Sequence, residues 1–223
     1  MAASEGIVGI LLAAGRGSRF DPSGAQNKLL QALPEGANAA FPAVAANAAK
    51  AGIPVEAAPA ARSVVAASAA NLLSALPRVI AVVRPGADAV ATELKHLGCE
   101  VVTCDQADTG MAASLVCALG QAAGAPGWIV ALGDMPRVHP QTLRSLQYAL
   151  EQGAGIAAPM YQGKRGNPVG FSRQYLPQLL ALQGDQGARG ILKQYPVQEV
   201  DVDDAGILQD IDTPADLHQQ GQP

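Results

Sequence analysis

A repeated rhythm of short strand-like runs, each followed by a helical pattern, is the feature that most restricts how this chain folds. The runs are Ile7–Ala13, Val79–Val83, Glu100–Thr103, Trp128–Leu132 and Gly155–Met160. Most are continuously apolar rather than alternating, which suits strands covered on both faces of a parallel sheet. Between them the spacing predicts helices over Ser63–Leu76, stopped by Pro77, and over Ala87–Leu97, stopped by Gly98. Two more are predicted over Met111–Ala123, before Gly124, and over Gln141–Gln152, which follows Pro140 and ends at Gly153. Glycine and proline are the residues that end helices. Strand, helix, strand in this order means an α/β fold with right-handed crossovers. We therefore expect a doubly wound, mostly parallel sheet with helices on both faces. The 223 residues fit a single domain over 1–223, since such sheets run to about 250 residues as one unit.

The last third reads differently. "QGKRGNPVGF", residues 162–171, is rich in turn formers and predicts a hairpin or a small β/α excursion, with the whole variant segment covering about 161–196. Helices are expected over Arg173–Leu182 and Gln186–Gln194, and "VQEVDVDD" alternates like an edge strand. "DTPADL" opens a terminal helix, with Thr213 as N-cap and Pro214 at the first helical position. Residues 35–61 form an Ala-rich insertion broken by Pro42, Pro54 and Pro59, where prolines interrupt the helix that alanine favours.

Several classes are disfavoured. The net charge is −4, whereas a generic nucleic-acid footprint is basic. No apolar run approaches the ~20 residues of a membrane span, and the acidic N-terminus is unlike a signal peptide. Cys99, Cys104 and Cys117 form no metal-spaced cluster and are expected as reduced, partly buried thiols in a cytoplasmic protein. His96, His139 and His218 sit in loose contexts and are read as solvated.

The first strand runs into "LAAGRGSRF", residues 12–20. A dinucleotide fingerprint places a third glycine where Phe20 stands, and a P-loop joins its lysine to Ser or Thr, whereas Lys28 is followed by Leu29. What remains is a turn whose backbone N–H groups over Ala14–Ser18 wrap anionic oxygens. Arg19 adds a two-donor grip and Lys28 a point charge. Two acidic motifs follow downstream. In "ALGDMPRV", Asp134 comes directly after a buried strand, at the sheet edge where open α/β folds bind ligands. In "LQDIDTPADL", Asp210 and Asp212 share one face of an extended segment. One of them converging on Asp134 suits Mg²⁺, which takes one or two carboxylates alongside substrate phosphates.

Taken together, LAAG-x-G-x-R with a following lysine, then LGDMP, then DIDTPADL, resembles the MobA-like nucleotidyltransferase family. Within it the pattern is most similar to the molybdenum cofactor cytidylyltransferases. "TGMAASLVCAL" (109–119) and "GKRGNPVGFSRQYLPQLLALQGDQGAR" (163–189) resemble further segments of that family. The Ala-rich insertion is the departure, because relatives pass quickly from the lysine to the next helix.

The resemblance implies a Rossmann-like nucleotidyltransferase that moves NMP from NTP to a phosphorylated acceptor and releases pyrophosphate. By it, Leu12, Ala13, Ala14, Gly15, Gly17, Ser18 and Arg19 would line the nucleotide's phosphates, and Lys28 would neutralise the reacting one. Gly110, Met111 and Ser114 would lie along the nucleoside. Asp134 and Asp212 would hold Mg²⁺, and Arg19, Lys28 and Asp134 would make up the catalytic set. Ala14 in LAAG, where guanylyl members carry LAGG, tilts the base toward cytosine and the substrate toward CTP. Arg165, Asn167, Asp185 and Arg189 would face the acceptor, a molybdopterin. A molybdoenzyme or its chaperone would receive the product, with no nucleic acid and no membrane involved. Transfer to a sugar or polyol phosphate, and a nucleotide-binding maturation module without turnover, stay open as alternatives.

Overall fold

The computed structural model describes residues 6–34, 62–184 and 187–218. The Ala-rich segment 35–61, together with Asp185 and Gln186, lies outside them. Its flanks are placed: Leu33 N–H donates to the Arg62 carbonyl at 2.8 Å and Val64 N–H to the Gln31 carbonyl at 3.0 Å. Residues 31–33 and 62–64, on either side of that segment, are thus hydrogen-bonded neighbours.

The described residues form one eight-stranded sheet. Its strands are β1 (Val8–Leu12), β2 (Val79–Val83), β3 (Glu100–Thr103), β4 (Gly127–Leu132), β5 (Ile156–Tyr161), β6 (Lys164–Arg165), β7 (Val169–Ser172) and β8 (Gln198–Asp201). The order is β3-β2-β1-β4-β7-β5-β6, with β8 pairing β5. The half containing β3, β2, β1 and β4 is parallel throughout, with Ile10 opposite Ile80 on one side and Val130 on the other. β7 enters antiparallel between β4 and β5, and β8 runs parallel to β5. The 162–171 segment thus supplies strands to the main sheet instead of standing outside it. "VQEVDVDD" does form a strand against β5.

The strands' period of two sorts their side chains onto two cores. Leu11, Ala81, Ile129 and Ala157 face one core; Ile10, Val82, Trp128, Ile156 and Phe171 face the other. The first is covered by α1 (Val64–Ala75), α2 (Asp88–His96) and α4 (Pro140–Glu151). The second is covered by α3 (Met111–Gln121), α5 (Leu176–Leu180) and α6 (Arg189–Gln194). The sheet is therefore covered on both faces, which is why its central strands have no polar side. Among the described residues, no helix is long and apolar enough to cross a membrane.

Helix ends follow local chemistry. The Ser63 hydroxyl caps α1 by accepting from Ala66 N–H at 3.1 Å. α2 carries Asp88 in its first turn and Lys95 in its last, each complementing the helix dipole. The expected terminal helix instead winds as a 3-10 stretch over Pro214–His218. There the Asp216 carboxylate accepts from Asp212 N–H, Thr213 N–H and the Thr213 hydroxyl. These contacts fix the segment from its own first turn.

All three cysteines are free. Burial pushes the Cys99 thiol up to about 12, and burial together with the neighbouring Cys104 holds Cys117 up to about 11. Because the thiolate is the reactive species, both are expected to react with a thiol reagent at pH 8 at least about a hundredfold more slowly than a free cysteine. Titrating native against denatured protein measures this; rapid labelling of either thiol in the native fold would contradict it.

Candidate active site

The carboxyl ends of β1 and β4 open into a cleft of about 490 Å³. Its first wall is the glycine turn after β1. Leu12, Ala13, Ala14, Gly15, Arg16, Gly17, Ser18 and Arg19 all line the cleft. Phe20, which replaces the third glycine of a dinucleotide site, is buried in the core beneath and closes the turn through its N–H to the Gly17 carbonyl at 2.9 Å. Gly17 has φ +66°, and a Cβ there would lie 3.3 Å from the Lys28 side chain. The backbone needs a left-handed residue at this point and the lysine stem needs the space.

Lys28 is placed from its own side of the loop. The Asp21 carboxylate accepts from Ser23 N–H, the Ser23 hydroxyl and Gln26 N–H, which shapes residues 21–26. The Asn27 side chain then caps a 3-10 turn over Lys28–Leu30 by accepting from Leu29 N–H at 3.0 Å, and Leu29 is buried. With its neighbour anchored, the Lys28 side chain runs into the cleft.

The second wall carries Asp134. The turn after β4 is held from behind by α1: the Ser68 hydroxyl donates to the Gly133 carbonyl at 3.0 Å, and the Asn71 amide to the Pro136 carbonyl at 2.9 Å. The late acidic segment joins the same turn through Ile211 N–H, which donates to the Asp134 carbonyl at 2.9 Å. This places Asp212 beside Asp134. The Lys28 ammonium lies 2.6 Å from Asp134 Oδ2 and 3.5 Å from Asp212 Oδ1, with the lysine side chain only 11% exposed. The Arg19 guanidinium pairs with the other Asp212 oxygen. Asp210 does not line the cleft; partial burial, then the charges of Asp212 and Asp134, raise its carboxyl above the ordinary range. Of the two late acids, Asp212 is the one that reaches Lys28.

The third wall is the turn into α3. Ala107, Asp108, Gly110, Met111 and Ser114 line it, with Ser114 buried and Met111 exposed. Asp108 was not singled out by sequence reasoning. It accepts two bonds from Arg16, at 2.8 and 2.7 Å, and lies 4.0 Å from Arg84, so its carboxyl is held below the ordinary range. No local pattern announces a pair separated by 92 positions.

The residues expected to face the acceptor lie elsewhere. Arg165 is on β6 and pairs with Glu199 at 2.8 Å; the Asn167 N–H donates to the Ile207 carbonyl at 2.9 Å; Arg189 opens α6. None of them lines the cleft, and Asp185 lies outside the described residues. The same region does approach the third wall, because a Cβ on Gly187 would lie 3.1 Å from Met111 Sδ.

A second carboxylate missed in the sequence works structurally. Asp204, only 2% exposed, accepts from His139 N–H, the Thr142 hydroxyl and Gly206 N–H, tying the start of α4 to the late acidic segment. Removing it strands three donors, so Asp204→Ala is expected to cost about 2–4 kcal/mol in urea unfolding. A loss below about 0.5 kcal/mol, the level of an ordinary surface change, would show that water replaces the carboxylate.

Among the described residues, no cluster of three or more His, Cys, Asp or Glu side chains forms a metal cage. Two carboxylates beside a nucleotide-sized cleft instead fit a hard divalent cation that takes its remaining oxygens from phosphate and water. The pair's hard-oxygen chemistry suits Mg²⁺ or Mn²⁺ and not a thiolate-seeking metal.

The family profile for the MobA-like NTP transferase domain matches residues 9–200. The purine catabolism protein PucB of Bacillus subtilis is 29% identical over 116 residues. That match covers 50% of this chain and 56% of PucB, so the chain spans little more than half the length of this relative. The crystal structure of Rv0371c from Mycobacterium tuberculosis has a TM-score of 0.71 and 28% identity, with 95% of each chain covered. A manganese complex of the same protein has a TM-score of 0.68 and 27% identity, again with 95% of each chain covered.

Proposed function

The chain belongs to the MobA-like NTP transferase family, and from that premise we propose that it transfers CMP from CTP to the phosphate of a molybdopterin, releasing pyrophosphate. The observation that carries the reading is Lys28: its ammonium lies within 3.5 Å of both Asp134 and Asp212 on the floor of the cleft that the glycine turn walls. Cations for the triphosphate and carboxylates for a divalent ion meet at one point, which a site for an uncharged ligand does not need.

In this reading the turn over Ala14–Ser18 holds the triphosphate through its N–H groups, and Arg19 grips the phosphates bound for departure. Lys28 sits against the α-phosphate and stabilises the charge that grows on it as the acceptor oxygen attacks in line. Asp134 and Asp212 would hold Mg²⁺, whose chemistry there is to neutralise phosphate charge. Gly110, Met111 and Ser114 flank the nucleoside. No residue needs to form a covalent bond; alignment and fixed charge supply the rate.

The choice of CTP rests on Ala14 and that of the acceptor on the 163–189 segment, where Arg165, Asn167, Asp185 and Arg189 are assigned to the acceptor. A molybdoenzyme or its chaperone would then take the product. The test is to incubate the protein with each NTP, Mg²⁺, and molybdopterin or a panel of sugar and polyol phosphates, and to measure pyrophosphate. Release with CTP and molybdopterin is expected. Preference for GTP would overturn the base, preference for a sugar phosphate would overturn the acceptor, and no release with any pair would overturn turnover itself.

A further inference from the structure

We infer that Lys28 occupies the divalent-cation position while the nucleotide is absent, so that metal and triphosphate load as one complex. The inference rests on the metal–nucleotide reading of the cleft and concerns the order of its filling.

Lys28, Arg19, Asp134 and Asp212 are already paired with one another within the cleft. Lys28 Nζ contacts Asp134 Oδ2 at 2.6 Å and Asp212 Oδ1 at 3.5 Å. The remaining Asp212 oxygen is taken by Arg19. A divalent ion on these oxygens would lie against the ammonium, and like charges a few ångströms apart in a part-buried cleft repel strongly. A metal on this pair of carboxylates therefore displaces Lys28 from it.

A triphosphate removes that obstacle. It offers Lys28 and Arg19 new anionic partners and brings oxygens of its own to the metal. The movement required is short. A Cβ at Gly17 would lie 3.3 Å from the Lys28 stem, so the glycine leaves that stem its room, and Asn27 and Leu29 fix the backbone on either side, so only the outer methylenes and the ammonium swing. Because coupling between two ligands is reciprocal, the nucleotide strengthens metal binding and the metal strengthens nucleotide binding. Part of that coupling comes from Lys28 rather than from direct metal–phosphate contact.

Mn²⁺ binding, followed by electron paramagnetic resonance with and without CTP, tests this without turnover. The wild-type protein is expected to bind Mn–CTP about a hundredfold more tightly than Mn²⁺ alone. Lys28→Met is expected to bind Mn²⁺ alone about tenfold more tightly than wild type, with the advantage of CTP reduced by a similar factor. Arg16→Gln removes an equal charge from the same cleft without touching either carboxylate, and is expected to leave Mn²⁺ affinity within about twofold, since exposed charges are largely screened. Lys28→Gln keeps a polar end should the Met variant fail to fold, and is expected to behave alike. Unchanged Mn²⁺ affinity in the folded Lys28 variant, or equal tightening in Arg16→Gln, overturns the inference alone. Absence of Mn²⁺ binding in wild type even with CTP overturns the reading of the cleft on which it rests.

Discussion

Replacing Asp134 with alanine is expected to abolish Mg²⁺-dependent pyrophosphate release, by about a thousandfold or more, while the protein stays folded. The carboxylate serves the cleft and little else. It contacts the Lys28 ammonium, whereas the turn that carries it is held by main-chain and α1 contacts that the substitution leaves in place. Ser68 and Asn71 still grip the carbonyls of Gly133 and Pro136, and Ile211 still donates to the Asp134 carbonyl. The stability cost should be about 1–2 kcal/mol, that of leaving a part-buried ammonium with one partner fewer. Steady-state pyrophosphate release beside a thermal melt separates the two effects. Turnover near the wild-type rate would remove Asp134 from the metal assignment.

Gly206→Ala is expected to act in the opposite sense, through the fold. A Cβ at this position would lie 2.1 Å from the Arg137 carbonyl oxygen and 2.5 Å from its carbon. These are backbone atoms just after the Asp134 turn, so no rotamer change relieves the clash. Overpacking of this kind costs about 3 kcal/mol. The strain falls on the segment that delivers Asp212, since Asp204 and Ile211 lie on either side of the glycine. Both the urea midpoint and Mn–CTP affinity should therefore fall together. Gly120→Ala is the control: it lies in α3 with open space around its Cβ, and is expected to be neutral or to stabilise by up to about 1 kcal/mol. A wild-type midpoint for Gly206→Ala would mean that the loop over 204–211 is free to shift.

The two sites differ in how far the sequence announces them. Asp134 is legible because an aspartate directly after a buried strand has few places to be other than the carboxyl edge of the sheet. Gly206 carries no such mark; its constraint is an approach by Arg137, a residue 69 positions earlier in the chain. Asp204 and Asp108 belong with Gly206. Their partners His139, Thr142, Arg16 and Arg84 are distant in sequence and meet them only through the fold. Asp216 lies between these cases, because T-x-x-D over Thr213–Asp216 is a local capping pattern, although the turn it closes is 3-10 and not the expected α-helix.

By itself the sequence determined what depends on near neighbours: the strand and helix rhythm, the helix stops, the glycine turn with its failed third glycine, and the acids placed after a strand. Hydrophobic periodicity and backbone preference act over a few residues, so they can be read from a few residues. Only the tertiary structure decided that β7 enters the sheet antiparallel and that Lys28 lies between the carboxylates of Asp134 and Asp212. Those outcomes depend on which distant segments share the space at the end of β1 and β4, where close packing and the need to pair every part-buried charge leave room for one arrangement.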